Sequence, residues 1–97
     1  MRLVLHPKVS SDLSEIMEYY ARVAGRNLSD DFYREFVRLA RAVAEKPQLF
    51  ATRNRDLRRA NLRRFPYHLL FRIAGDSVRI LVVRHHRRDP SLGTSRR

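Results

Sequence analysis

The sequence predicts an α+β fold: a helix hairpin packed on a small, mainly antiparallel sheet. Three observations predict it. Apolar residues recur at helical spacing in two segments before Pro47, the period becomes strand-like after it, and the strand-like runs are joined by short turns. The expected element order is β-α-α-β-β-β. The chain has 97 residues, which suits one domain, so we expect a single domain over 1–97 that ends in a short basic tail at 91–97.

Met1–Leu5 is an apolar strand candidate stopped by Pro7, which cannot donate to a ladder, and it should join the sheet. Ser10, Ser11 and Asp12 offer N-caps, with Asp12 and Glu15 approximating a capping box. Val9, Leu13, Ile16, Met17, Tyr20 and Val23 then recur at helical spacing, and Gly25 is a natural end. A second helix is expected from Asn27 or Ser29, with Asp30 and Asp31 near its positive end. Its stripe is Leu28, Phe32, Phe36, Leu39, Ala40 and Val43, and Pro47 stops it. A link of about four residues makes the two helices antiparallel neighbours. Tyr20, Phe32 and Phe36 read as core.

Residues 48–56 read as a loop. Leu57–Phe65, Tyr67–Ile73 and Val78–His85 read as a three-stranded meander, with a hairpin turn at Ala74-Gly75-Asp76-Ser77. The helix hairpin should cover its apolar face.

Composition excludes several classes. A hydrophobic content of 43% is too high for a disordered basic tail. The absence of cysteine removes disulfides, thiolate metal sites and a Cys nucleophile. The longest apolar runs, Leu69–Phe71 and Ile80–Val83, are too short for a membrane span or secretory core, so a soluble cytosolic protein with no membrane partner is expected. Gly25, Gly75 and Gly93 are isolated, so no phosphate loop exists. The four histidines form no ligand pair at helical spacing, and no carboxylate pair suits glycoside chemistry. No metal and no cofactor are expected.

The charge is lopsided. The net charge is +11; residues 1–52 hold 8 Lys/Arg and 7 Asp/Glu, whereas residues 53–97 hold 13 Arg and 3 Asp. Codon bias on a solvated surface would explain Arg over Lys, but not the confinement of the excess to one half. A polyanionic partner, nucleic acid or an acidic protein, explains both. Arg58, Arg59, Arg63 and Arg64 fall on the first meander strand, and Arg84, His85, His86, Arg87 and Arg88 at the exit of the last. Neighbouring strands could join them into one basic surface containing imidazoles. Such a surface suits RNA cleavage by 2′-hydroxyl attack, in which a histidine handles the proton and arginine stabilises the phosphorane-like charge. Adjacent strand residues point to opposite faces, so at most one of His85 and His86 lies on that surface unless the strand has ended. The plainer alternative has one imidazole in the core and the other capping the strand end.

Leu62-Arg63-Arg64-Phe65-Pro66-Tyr67-His68-Leu69-Leu70-Phe71-Arg72-Ile73, followed by Val78–Pro90, resembles the RelE/ParE superfamily of bacterial type II toxin–antitoxin systems. The first strand, residues 12–20 and the second helix ending at Lys46-Pro47 agree with it in style, so the resemblance covers about 1–90. It implies a β-α-α-β-β-β toxin, neutralised in a hetero-oligomer by an antitoxin that carries a DNA-binding domain and an acidic segment. The resemblance leans to the ParE branch, whose members inhibit DNA gyrase without known nuclease activity. His68 stands where RelE-like nucleases usually carry a catalytic Arg, and no Tyr follows Tyr67. Phe65-Pro66-Tyr67-His68 and the run His85–Pro90 are similar to ParE patterns. The expectation is therefore a non-enzymatic toxin whose antitoxin or target contacts are Arg58, Arg59, Arg63, Arg64, His68, Arg84, His86, Arg87 and Arg88. The alternative is a ribosome-dependent mRNA endoribonuclease using Arg64, Arg84, His85, His86 or Arg87, and the second alternative is a non-toxic nucleic-acid-binding module.

Overall fold

A computed structural model describes all 97 residues. Strand β1 (Arg2–Leu5) leads into helices α1 (Val9–Ala24) and α2 (Arg26–Glu45), and then strands β2 (Thr52–Asn54), β3 (Leu57–Asn61), β4 (Tyr67–Ala74) and β5 (Ser77–His85). The five strands form one sheet in the order β1-β5-β4-β3-β2. β1 runs parallel to β5, and the other three pairings are antiparallel.

The helices begin differently from expectation. α1 starts at Val9 with Lys8 at its N-cap and no side-chain cap, which puts Ser10, Ser11 and Asp12 inside the first turn. The Asp12 carboxylate instead accepts the Val83 N–H at 3.1 Å and pairs with Arg96 at 2.7 Å. A single residue, Gly25 at φ +95°, links α1 to α2, so the expected four-residue link does not exist and α2 already starts at Arg26. Positive φ carries no Cβ penalty for glycine, which lets the turn be this tight. Asp30 and Asp31 consequently lie beyond the first turn of α2, which holds no acid. Ser29 is buried and donates to the Met17 carbonyl, locking the hairpin at 3.0 Å. The apolar stripes of both helices meet one sheet face, and Val9, Leu13, Ile16, Phe32, Phe36, Ala40 and Val43 join Ala60, Leu69, Phe71, Val78, Ile80 and Val83 in the main core. Val23, expected in the stripe, is exposed.

The segment read as a loop before residue 57 instead forms a 3₁₀ turn (Pro47–Leu49) and the edge strand β2. β2 has no buried residue, so hydrophobic patterning gives it no signal. Arg63 and Arg64 lie past the end of β3, in the connection to β4.

The helices cover only one face. Four further buried aliphatic residues, Leu57, Leu70, Leu81 and Val82, fall outside the main core. Strand alternation places Leu57, Leu70 and Val82 on the outer face, and the C-terminal segment closes over Val82. There Gly93, at φ +81°, lies so close that an added Cβ would meet the Val82 Cβ at 2.6 Å. Residues 91–97, expected as a tail, are thus packed against the sheet. Gly93→Ala should cost about 2–3 kcal/mol, combining left-handed backbone strain with overpacking. Gly75→Ala, at φ +60° with nothing within 4 Å, should lose only the backbone part, about 1 kcal/mol. Urea unfolding of both variants checks this; equal losses would mean that the C-terminal segment does not press on Val82.

Candidate functional site

β3, β4 and β5 place Arg59 opposite Leu70, Asn61 opposite His68, and His68 opposite Arg84. Ala60 and Leu69 face the helices, so by alternation Arg59, Asn61, His68 and Arg84 share the outer face. An irregularity in β5 decides this. Leu70 pairs with Val82, but the next residue, Phe71, pairs with Ile80, leaving Leu81 as the extra residue of a bulge. Val78 and Ile80 point to the helices before it, and Val83 after it. Unbroken alternation from Ile80 through Leu81 would point Arg84 to the helices; the bulge turns it to the outer face.

The outer-face groups form a hydrogen-bonded line. Arg84, 9% exposed, donates Nε–H to Nε2 of His68, which is 1% exposed, at 2.9 Å. A guanidinium only donates, so Nε2 accepts, and neutral His68 carries its proton on Nδ1. That proton points at Nδ1 of His86, 2.9 Å away. The two ring planes are within 10° of parallel, with centroids 5.2 Å apart. Stacked rings would hold their planes about 3.5 Å apart, which the 2.9 Å nitrogen separation forbids. The imidazoles therefore meet edge to edge, as an N–H···N bond requires. Arg59 also reaches Nδ1 of His86 through Nη2 at 3.2 Å, and Arg59 Nε donates to Asn61 Oδ1 at 2.8 Å. Burial first, and then the positive charges of Arg59 and Arg84, push the His68 pKa down to about 3. Burial and Arg59 lower His86 as well.

Arg84 commits two of its three nitrogens, Nε and Nη1. Its Nη1 donates to the carbonyls of Pro90 at 2.7 Å and Leu92 at 2.8 Å, so it holds the C-terminal turn while orienting His68. His85 projects to the other side, edge-on to the Tyr67 ring at 5.1 Å. With Arg88 it lines a cleft of about 400 Å³ beside Glu15, Tyr19 and Tyr67. Of the two adjacent histidines, His86 is the one that joins the arginine cluster.

The thirteen arginines of the second half are divided rather than gathered on one surface. Arg58 donates to the Phe50 carbonyl, and Arg96 is paired with Asp12. Arg63 and Arg64 sit against α2: the backbone N–H groups of both donate to the Glu35 carboxylate, and the Arg64 side chain approaches Asp31 at 3.6 Å. Arg87 and Arg88 are exposed in the exit turn. The sequence reading missed two neighbours of the line, Arg53 and Asn61. Asn61 was legible, standing two residues after Arg59 on the same strand face. Arg53 lies on β2, which carries no hydrophobic signal. Among His, Cys, Asp and Glu side chains no group of three could hold a metal ion, and no helix is long and apolar enough to cross a membrane.

A helix hairpin on one face of a five-stranded sheet, with arginines and imidazoles on the other, places the chain among the small RelE/ParE-like toxins. A family model described as "ParE toxin of type II toxin-antitoxin system, parDE" matches residues 3–90, and the chain belongs to that family. Toxin ParE2 of Mycobacterium tuberculosis, curated from strains CDC 1551 / Oshkosh and ATCC 25618 / H37Rv, is 33% identical to it over 91 residues, covering 93% of this chain and 86% of the relative. A solved chain titled "Chromosomal ParDE TA system from P. aeruginosa" superposes with a TM-score of 0.78 at 23% identity, covering 88% of this chain and 95% of that one, and shares the fold.

Proposed function

We propose that this ParE-family toxin acts without catalysis, arresting growth by inhibiting DNA gyrase, and that a cognate antitoxin neutralises it through an acidic segment. The observation that carries the non-catalytic reading is the state of His68. RNA cleavage needs an acid and a base that exchange protons near neutral pH, and an arginine free to meet the developing phosphorane charge. His68 is buried and neutral near pH 7, so it is no imidazolium acid, both of its nitrogens are taken by His86 and Arg84, and Arg84 is engaged with His68 and with backbone carbonyls. His86 lends its Nδ1 to His68 and Arg59, and His85 accepts the Arg87 N–H. The nuclease alternative retains the exposed Nε2 of His86 beside Arg59, together with Nε2 of His85 and the exposed Arg87 side chain in the exit turn.

Induced expression without antitoxin should give filamentation and gyrase-dependent DNA breaks, and no cuts in ribosome-bound mRNA. The triple variant His85→Ala, His86→Ala, Arg87→Ala, shown to be folded by its melting transition, should still cleave no mRNA. Codon-phased mRNA cuts by the wild type that disappear in the triple variant would replace this reading with the endoribonuclease. Harmless overexpression of folded protein would point instead to a nucleic-acid-binding module.

A further inference from the structure

We propose that Arg59, Arg53 and the Nε2–H of His86 form an oxyanion site that receives a carboxylate side chain from an acidic protein segment crossing the outer face of the sheet. The inference rests on the toxin–antitoxin reading and names the place and chemistry of one contact.

The first support is charge without a counterion. Every ion pair in the protein belongs to Arg34, Arg64, Arg72 or Arg96, so Arg53, Arg59 and Arg84 have no carboxylate within 4.0 Å. Asp89, an acid near Arg84, accepts both the N–H and the hydroxyl of Ser91. The effect is visible across the cluster: burial and then the neighbouring Arg53 make the Arg59 cation less favourable, and burial and then Arg59 do the same at Arg84. A cluster of cations so destabilised by one another gains most from an added anion.

The second support is where donors remain. Tracing the protons from Arg84 leaves Nδ1 of His86 as an acceptor, so its single proton sits on Nε2. That nitrogen has no protein partner, and the residue is exposed. Arg59 has used Nε and Nη2, and Nη1 has no partner. Arg53 is exposed on the adjacent β2. A guanidinium fork and an N–H beside it suit the two oxygens of a carboxylate.

The third support distinguishes a peptide from a nucleic acid. Single-stranded nucleic acids bind where bases can stack on aromatic rings next to the cationic track. Here Tyr20, Phe32, Phe65 and Tyr67 pack together under the helices. In the cluster His68 is buried, which leaves the single small ring of His86 exposed and no aromatic track.

Calorimetric titration of the full chain with the antitoxin encoded beside it tests the proposal. Arg59→Gln should weaken the complex at least about tenfold, as truncation of a hydrogen-bonded charge pair does, and Arg53→Gln, which removes no internal bond, should weaken it measurably and flatten its salt dependence. Arg26→Gln, exposed at the start of α2, should stay within about twofold of wild type. Melting transitions verify folding, and Arg53→Gln decides if Arg59→Gln is unfolded. Native affinity in the folded variants overturns the carboxylate site and leaves the toxin–antitoxin reading standing. Absence of any complex with the wild type overturns that reading and this inference together. Loss of single-stranded RNA binding in Arg59→Gln, with antitoxin affinity intact, would reassign the site to phosphate and overturn the proposal.

Discussion

Arg84→Met should destabilise the protein by about 2–3 kcal/mol, because a buried acceptor stripped of its donor costs about 1–3 kcal/mol and a partly exposed one, which water can reach, costs less. The acceptors are the Nε2 of His68 and the carbonyls of Pro90 and Leu92. Methionine fills much of the volume, so the loss reports hydrogen bonding rather than a cavity. The variant should also release residues 89–92, and the extra amide exchange should concentrate there and at Val82, which Gly93 covers. Urea unfolding and hydrogen exchange give the two readouts. A loss below about 1 kcal/mol, the size expected of an exposed charge, would mean that Arg84 is not the hub described here.

The second large effect is acid sensitivity centred on His68. Its folded pKa of about 3 lies below the ordinary value of about 6.5 expected when unfolded. Between these values the unfolded chain binds a proton that the folded protein refuses. The associated stability is therefore complete above about pH 6.5 and is lost progressively as pH falls towards 3, at up to about 1.4 kcal/mol per pH unit. His86, lowered for the same reasons, adds in the same direction. His68→Gln keeps an acceptor for Arg84 but has no proton to bind. Its stability between pH 4 and pH 6 should fall less steeply than wild type by about 1 kcal/mol per pH unit. Parallel slopes in urea titrations at these pH values would show that His68 is not the neutral link between Arg84 and His86.

Both predictions rest on a feature that periodicity could reveal only in part. The two helices were legible because Leu13, Ile16, Phe32, Phe36 and Val43 repeat at helical spacing around polar residues. β4 and β5 were legible because their apolar runs are bounded by a short turn. β2 was not, since all three of its residues are exposed and it is defined only by backbone pairing to β3. The one-residue helix connection was obscured because Asn27 and Ser29 imitate an N-cap that Gly25 makes unnecessary. Asp12 had the spacing of a capping residue, yet Arg96 offers it a charged partner from 84 residues away.

By itself the sequence determined the fold class, the family, and the gathering of positive charge in the second half. These depend on composition, on the period of apolar residues and on turn chemistry, which are local or additive along the chain. Tertiary structure alone decided which charged groups meet. Ile80-Leu81-Val82-Val83 is buried on both sides of the sheet, so its residues give no sign of which way each one points. The bulge at Leu81 reverses that alternation, sending Arg84 and His86 to join His68 and Arg59 while His85 turns to Tyr67. The physical reason is the two-residue period of a strand: one inserted residue exchanges the faces of everything after it, and only pairing with β4 fixes where the insertion falls.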